Sequence, residues 1–322
     1  MRVIDLGKKS PHQRVTVMSY GGMRSGKTRF AATFPRPLFL SDNTESGWTT
    51  IEHMDPAAFF EPERRPVVWA IERGPDMMQC IAEMENVLRN EPGKFLTVVV
   101  DSLTFYADLF FNAIDGAARI GGRQPDNRIL YSNLAAHLRE LRIRIHSLNI
   151  NVVWLCLEKQ ATADEPVGGP MLSGQNAQKF AAGCDYIFYH RSYQTNPSTP
   201  LQWDVRTRRF NQYPAGGRDE GLVHDPLGFI EEVEEAGEVK QVFVPDCTYR
   251  TLALSLGITD KVALTAPPPP ALLTPIMKPA SGPQPQVQVQ PSPGTGRGGA
   301  SRPAISTAGT AQPGKAVTPS RT

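Results

Sequence analysis

No stretch of this 322-residue chain approaches 18 consecutive apolar residues, so no segment is expected to span a membrane. Residues 1–10 lack the apolar core of a secretory signal. Cysteine is scarce: Cys80, Cys156, Cys184 and Cys247 stand far apart, with no C-x-x-C pair. That excludes a disulfide framework and fits a reducing compartment, with Cys156, inside an apolar run, read as a buried free thiol. Net charge is scarce too. The 34 basic and 32 acidic residues leave +2, which makes no case for bulk nucleic-acid binding, so any such surface must be local. The expectation is a cytoplasmic protein with no membrane partner.

Acidic and aromatic residues vanish altogether near the end of the chain. Residues 266–322 hold thirteen prolines in 57 positions and no aspartate, glutamate, aromatic residue or cysteine; their only charges are Lys278, Arg297, Arg302, Lys315 and Arg321. Such a segment cannot bury enough apolar surface to offset its chain entropy. It is read as a disordered, weakly basic tail, inert or partner-binding. Without it the remainder carries about −3, the +2 of the whole less five positive charges.

What is there, in residues 1–265, is an alternation of strand-like and helix-like segments. Residues 14–20 (RVTVMSY), 37–41 (PLFLS), 66–71 (PVVWAI), 95–100 (FLTVVV) and 151–157 (NVVWLCL) read as strands. Residues 77–88 and 129–148 carry apolar side chains every three or four positions, as amphipathic helices do. Strands apolar on both faces and separated by helices imply an α/β fold with a mostly parallel sheet covered on both sides. After about residue 186 the pattern changes. Segments 186–189, 201–205 and 239–244 look like strands that extend the sheet antiparallel at one edge.

Between the first strand and a helix over about 27–33 lies Gly21-Gly22-Met23-Arg24-Ser25-Gly26-Lys27-Thr28, which fits G-x-x-x-x-G-K-[ST]. The glycines let successive N–H groups turn inward toward phosphate oxygens. Lys27 places a point charge on the β- and γ-phosphates, and the Thr28 hydroxyl ligates Mg²⁺. The helix presents its positive dipole end to the anion, and Arg29 follows in its first turn. The motif in this setting predicts a nucleoside triphosphate, ATP with Mg²⁺, as ligand.

Two acidic positions follow. Asp101 ends the strand 95–100 at the edge where α/β ligands bind, as a water-mediated magnesium acid or as a plain helix cap. The loop Ser41-Asp42-Asn43-Thr44-Glu45-Ser46-Gly47 supplies an acid that could orient the attacking water, with Glu45 the first choice and Asp42 the alternative.

The order of these motifs resembles the RecA-like ATPase core, and in particular the phage-encoded nucleotide-binding ATPases of the Sak-type single-strand-annealing group. The segments that carry the resemblance are YGGMRSGKTRFAATFP, PLFLSDNTESGW, FLTVVVDSLT, NVVWLCLEK and PMLSGQNAQKFAAGCDYIFY, over roughly residues 14–220. It implies a RecA-like domain over 1–265 with Glu45 as catalytic glutamate, Asp101 as the magnesium-associated acid, and a homo-oligomer, ring or filament. It also implies single-stranded DNA as partner, in the host cytoplasm. Glu158 falls where RecA has a polar sensor glutamine; a carboxylate there would need Mg²⁺ or a lysine beside it, and Lys159 and Gln160 are alternatives. Two stretches correspond to the DNA-binding loops of the family: residues 115–128, with Arg119, Arg123 and Arg128, and residues 159–174. Arg218 is the residue expected to act across a subunit interface. A P-loop small-molecule kinase and a nucleotide-dependent scaffold are the competing classes.

Overall fold

The computed structural model describes residues 14–42, 47–73, 76–120, 126–194, 196, 198, 201–218, 224–235 and 238–258. The proline-rich segment 266–322 lies outside them. β1 (Thr16–Gly21) leads through a glycine loop into α1 (Lys27–Ala32), and the chain returns through β2 (Pro37–Asp42). The short α2 (Thr49–Glu52) precedes β3 (Val67–Ile71), and α3 (Asp76–Asn90) precedes β4 (Thr97–Asp101). Two long helices, α4 (Leu103–Ile120) and α5 (Asn127–Ser147), separate β4 from β5 (Asn151–Lys159). Then come β6 (Gly169–Pro170), α6 (Asn176–Ala181), β7 (Tyr186–Tyr193), β8 (Gln202–Arg206) and β9 (Gly216–Gly217). A hairpin of β10 (Gly228–Glu235) and β11 (Glu238–Pro245) and the helix α7 (Tyr249–Ser255) complete the described chain.

The main sheet runs β3-β2-β4-β5-β1-β7-β8. Its first six strands are parallel, and β8 joins β7 antiparallel. The apolar run 98–100 of β4 is explained by burial on both faces. Val98 and Val100 pack in one core with Leu134, Leu138 and Leu141 of α5, while Val99 packs in the other with Phe30 of α1 and Leu252 of α7. The stripe expected on the helix 129–148 is the buried face of α5, from Leu130 to Ile145. Asp126 caps that helix by accepting from the Arg128 N–H at 2.8 Å. Trp154 of β5 is fully buried and meets Phe180 of α6 edge-on at 4.8 Å, an arrangement aromatic quadrupoles favour.

Three expectations about the late strands resolve differently. Only 201–205 is an antiparallel edge. Segment 186–193 is an interior strand, parallel to β1 with Val17 opposite Tyr186 and Gly21 opposite His190. Its first residues are apolar on both faces, with Tyr186 and Phe188 in one core and Tyr189 in the other, as an interior strand requires. Segment 239–244 belongs to the separate two-stranded β10–β11 sheet. Among the described residues no helix is long and apolar enough to cross a membrane.

Candidate nucleotide-binding site

β1 ends at the carboxyl edge of the sheet, between the ends of β5 and β7. The loop that follows needs its glycines. A Cβ on Gly21 would overlap the His190 carbonyl oxygen, and Gly26 has φ of +86° with the Trp203 ring 3.1 Å from where a Cβ would stand. Arg24 is also left-handed, at φ 58°, so the backbone turns twice within the loop. Met23 projects into solvent, 78% exposed, and Ser25 is buried. The first turn of α1 closes with Phe30 N–H donating to the Gly26 carbonyl at 2.9 Å.

Lys27 is buried and folds back across its own loop. Its Nζ donates to the carbonyl oxygens of Gly21 at 2.9 Å and Gly22 at 2.7 Å, and to Ser25 Oγ at 3.3 Å. A buried ammonium needs such acceptors. Neutral carbonyls are the weaker partners for it; phosphate oxygens at the same place would give charge-assisted bonds roughly twice as strong.

Asp101 stands at the end of β4, and β5 lies between that strand and β1. Thr28 Oγ1 nevertheless reaches it and donates to Oδ2 at 2.9 Å. Burial pushes the Asp101 carboxyl above the usual carboxylate range, against the opposing pull of the Thr28 hydrogen bond and the Lys27 charge. A hydroxyl and a carboxylate side by side are hard oxygen donors of the kind Mg²⁺ takes, so these two residues fit the ion the motif implies. The Asp101–Ser102 peptide is cis.

Asp42 ends β2, one residue past the Ser41–Asp101 register pair, and is buried. It shares with Asp101, Ser102 and Tyr106 a cavity of about 10 Å³, the room of about one water. Glu45, the first-choice acid, lies outside the described residues.

Glu158 is at the end of β5, and its Oε2 is 3.8 Å from where a Cβ on Gly22 would stand. The phenols of Tyr189 and Tyr213 are close enough to this carboxylate that, after burial, its charge helps push both hydroxyls above the usual phenol range. Their rings stack at 4.5 Å and 6°, which fixes the two phenols together beside Glu158. Lys159 is paired with Glu165 instead.

The remaining candidates are dispersed. The stretch 115–128 is mostly not a loop: α4 runs through to Ile120 and α5 starts at Asn127. The apolar spacing of residues 103–114 was the signal for that extension. Arg119 lies on α4, exposed, with Nε donating to Asp115 at 2.7 Å one turn earlier, and Arg128 is in the first turn of α5. Arg123 lies outside the described residues. In the other stretch, β6 pairs back onto Glu158 and Lys159. Arg218 is at the opposite end of β7 from the P-loop. It donates to Ala182 O at 3.2 Å and is paired with Asp185 at 3.8 Å.

One contact had no sequence signal. Trp203, on the edge strand β8, donates its indole N–H to the Arg24 carbonyl at 3.1 Å and lays its ring against Gly26. A tryptophan 179 positions away thereby pins the P-loop from outside.

A mostly parallel sheet with helices on both faces, a glycine loop after its first strand and an acid ending a strand two places away define the RecA-like P-loop NTPase fold. The chain belongs to the AAA domain family, whose profile matches residues 13–218, and so carries an ATPase-type nucleotide-binding domain. No curated protein matches it by sequence. Among solved structures it is similar to a KaiC-like protein from the hyperthermophilic archaeon Pyrococcus horikoshii, at 14% identity over 72% of this chain and 89% of that one, with a TM-score of 0.39. It is also similar to a prototypical ATPase from the type III secretion system of pathogenic bacteria, at 13% identity over 54% of this chain and 50% of that one, with a TM-score of 0.36.

Proposed function

We propose that the protein is a Mg-ATP hydrolase that acts on single-stranded DNA in phage recombination or replication, promoting annealing or strand exchange as a homo-oligomer. The observation that carries the ATPase reading is the buried Lys27 in the loop ahead of a Thr28–Asp101 pair that joins two non-adjacent strands. In this reading Lys27 holds the β- and γ-phosphates, and the N–H groups of residues 21–29 line the phosphate oxygens. Thr28 and, through water, Asp101 hold magnesium, which when bound offsets charge on the phosphates. Glu45 orients the attacking water. Arg218, bound to its own chain far from its own P-loop, serves the site of a neighbouring copy. The tail is the segment offered to a partner such as a single-strand-binding protein.

The DNA reading rests on the resemblance of the sequence segments to the Sak-type group. Phosphate release from ATP, measured without any acceptor and with or without single-stranded DNA, tests it. Stimulation by DNA is the expected result, and turnover only with a small-molecule acceptor would overturn it in favour of a kinase.

Replacing Arg119, Arg123 and Arg128 together with alanine is expected to weaken single-stranded DNA binding and flatten its salt dependence. The slope should fall by about 0.7 per lost phosphate contact, or roughly 2 for three. The Arg119–Asp115 pair is exposed and worth little, so it does not bar Arg119 from a phosphate. Identical affinities and slopes for wild type and variant would remove this helix end from the DNA site. Deleting residues 266–322 is expected to leave both the melting transition and the DNA-free ATPase unchanged. A melting temperature lowered by many degrees would show that the tail is part of the fold.

A further inference from the structure

The phosphate-binding loop accounts for only half of a nucleotide. On its Asp101 side the cavity bordered by Asp42 and Tyr106 has room for about one water. On the other side of α1 lies a cleft of about 240 Å³. Ser25 and Gly26 of the loop line it together with Arg29, Ala58, Trp203 and Asp246. It continues past Thr33 and Asp246 into a second hollow of about 120 Å³ bordered by Phe60 and Arg250. Small-molecule pockets usually measure roughly 300–1,000 Å³, so 240 Å³ suits part of a ligand whose remainder lies elsewhere.

The chemistry of the walls matches the missing half. Trp203 is 38% exposed, so part of its π surface is open beside the loop. The Arg29 guanidinium covers it only loosely, 5.8 Å from the ring centroid. Asp246 is held by the hydroxyls of Thr248 and Thr251, both donating to Oδ2, which among the described residues leaves Oδ1 for a further donor. His190, fully buried in the lining, has Nε2 without a hydrogen-bond partner among the described residues. That nitrogen is itself shut off from solvent, so the His190 ring serves as wall and not as a partner for the ligand. An aromatic ring and a fixed carboxylate suit a flat heteroaromatic base bearing an amine, joined to a sugar bearing hydroxyls.

We propose that this cleft receives the base and ribose of the nucleotide whose phosphates lie on residues 21–28, with the base against Trp203 and an amine or ribose hydroxyl donating to Asp246. The inference rests on the nucleotide-binding reading and adds the residues that tell a nucleotide from a bare polyphosphate. Because Trp203 also bonds the Arg24 carbonyl, filling the cleft would set the loop as well as select the ligand.

The test is calorimetric titration of the full-length protein with Mg-ATP and, separately, with magnesium tripolyphosphate. Wild type should bind ATP at least tenfold more tightly. Ala58→Phe, which narrows the cleft at a residue outside the P-loop, should lower ATP affinity roughly tenfold to hundredfold, the loss expected when a stacked base is displaced. The same variant should bind tripolyphosphate within about twofold of wild type, a bound that also reports an intact loop. Trp203→Phe should abolish the change in tryptophan fluorescence on adding Mg-ATP, although Trp48, Trp69 and Trp154 remain. Equal affinity of wild type for the two ligands would overturn the cleft assignment and leave the phosphate loop standing. So would Ala58→Phe binding ATP normally. Failure of wild type to bind either ligand would overturn the phosphate-loop reading itself.

Discussion

Lys27→Ala is expected to reduce Mg-ATP affinity or turnover by at least two orders of magnitude. The ammonium is buried at 8% exposure and makes three hydrogen bonds within its own loop. Those three partners are neutral oxygens, and the Lys27 charge also acts on Asp101. Two phosphate oxygens in its reach would each form a charge-assisted bond worth about 1.5–3 kcal/mol. Losing both amounts to about 3–6 kcal/mol, or roughly a 10²- to 10⁴-fold effect. Removing the side chain also leaves the carbonyls of Gly21 and Gly22 without their donor beside a polyanion, which adds to the loss. Titration calorimetry and phosphate release read the two possible sites of the effect, binding and chemistry. A variant that binds ATP tightly and turns it over normally would sink the P-loop assignment.

The P-loop was legible because its chemistry constrains backbone and side chains together. Gly21 and Gly26 are required where another backbone or ring comes too close for a Cβ, and Lys27 and Thr28 are required by the ligand. The strands were legible for a different reason. Runs such as the three valines of β4 are apolar because each face meets its own helix layer, and that pattern survives without any alignment. Strand order was not legible, since pairing is a property of the whole chain. Nothing in YIFYHRSY says that its first half lies beside β1 and its second half beside β8. Helix length was legible only where both ends carry a signal. Asp126 caps α5, but α4 runs on through Gly116 to Ile120, and the glycines around it read as a loop. Trp203 was the costliest omission, because an isolated tryptophan on an edge strand has no period to betray it. Its meaning comes only from the loop it touches.

The acid that activates water is the choice the sequence leaves between Glu45 and Asp42. Glu45→Gln is expected to leave Mg-ATP affinity within a few-fold and lower turnover by roughly 10²- to 10⁴-fold, the range for a positioned general base. Glutamine keeps the size of the side chain and loses the basicity, so a binding defect would point to a different role. Asp42 is the competitor, and its surroundings are known. It is buried at 6% exposure and shares with Asp101 a cavity no larger than about one water. A carboxylate so enclosed beside Asp101 would act on the ion and its waters, whereas a general base must reach a nucleophile at the far end of the phosphates. Asp42→Asn should therefore raise the magnesium concentration needed for half-maximal turnover while leaving the rate at saturating magnesium within several-fold of wild type. Glu45→Gln should do the reverse, losing the rate at every magnesium concentration. Magnesium titrations of single-turnover ATP hydrolysis for both variants separate the roles. If Asp42→Asn is dead at saturating magnesium and Glu45→Gln turns over normally, the base is Asp42 and the loop beyond it serves some other purpose.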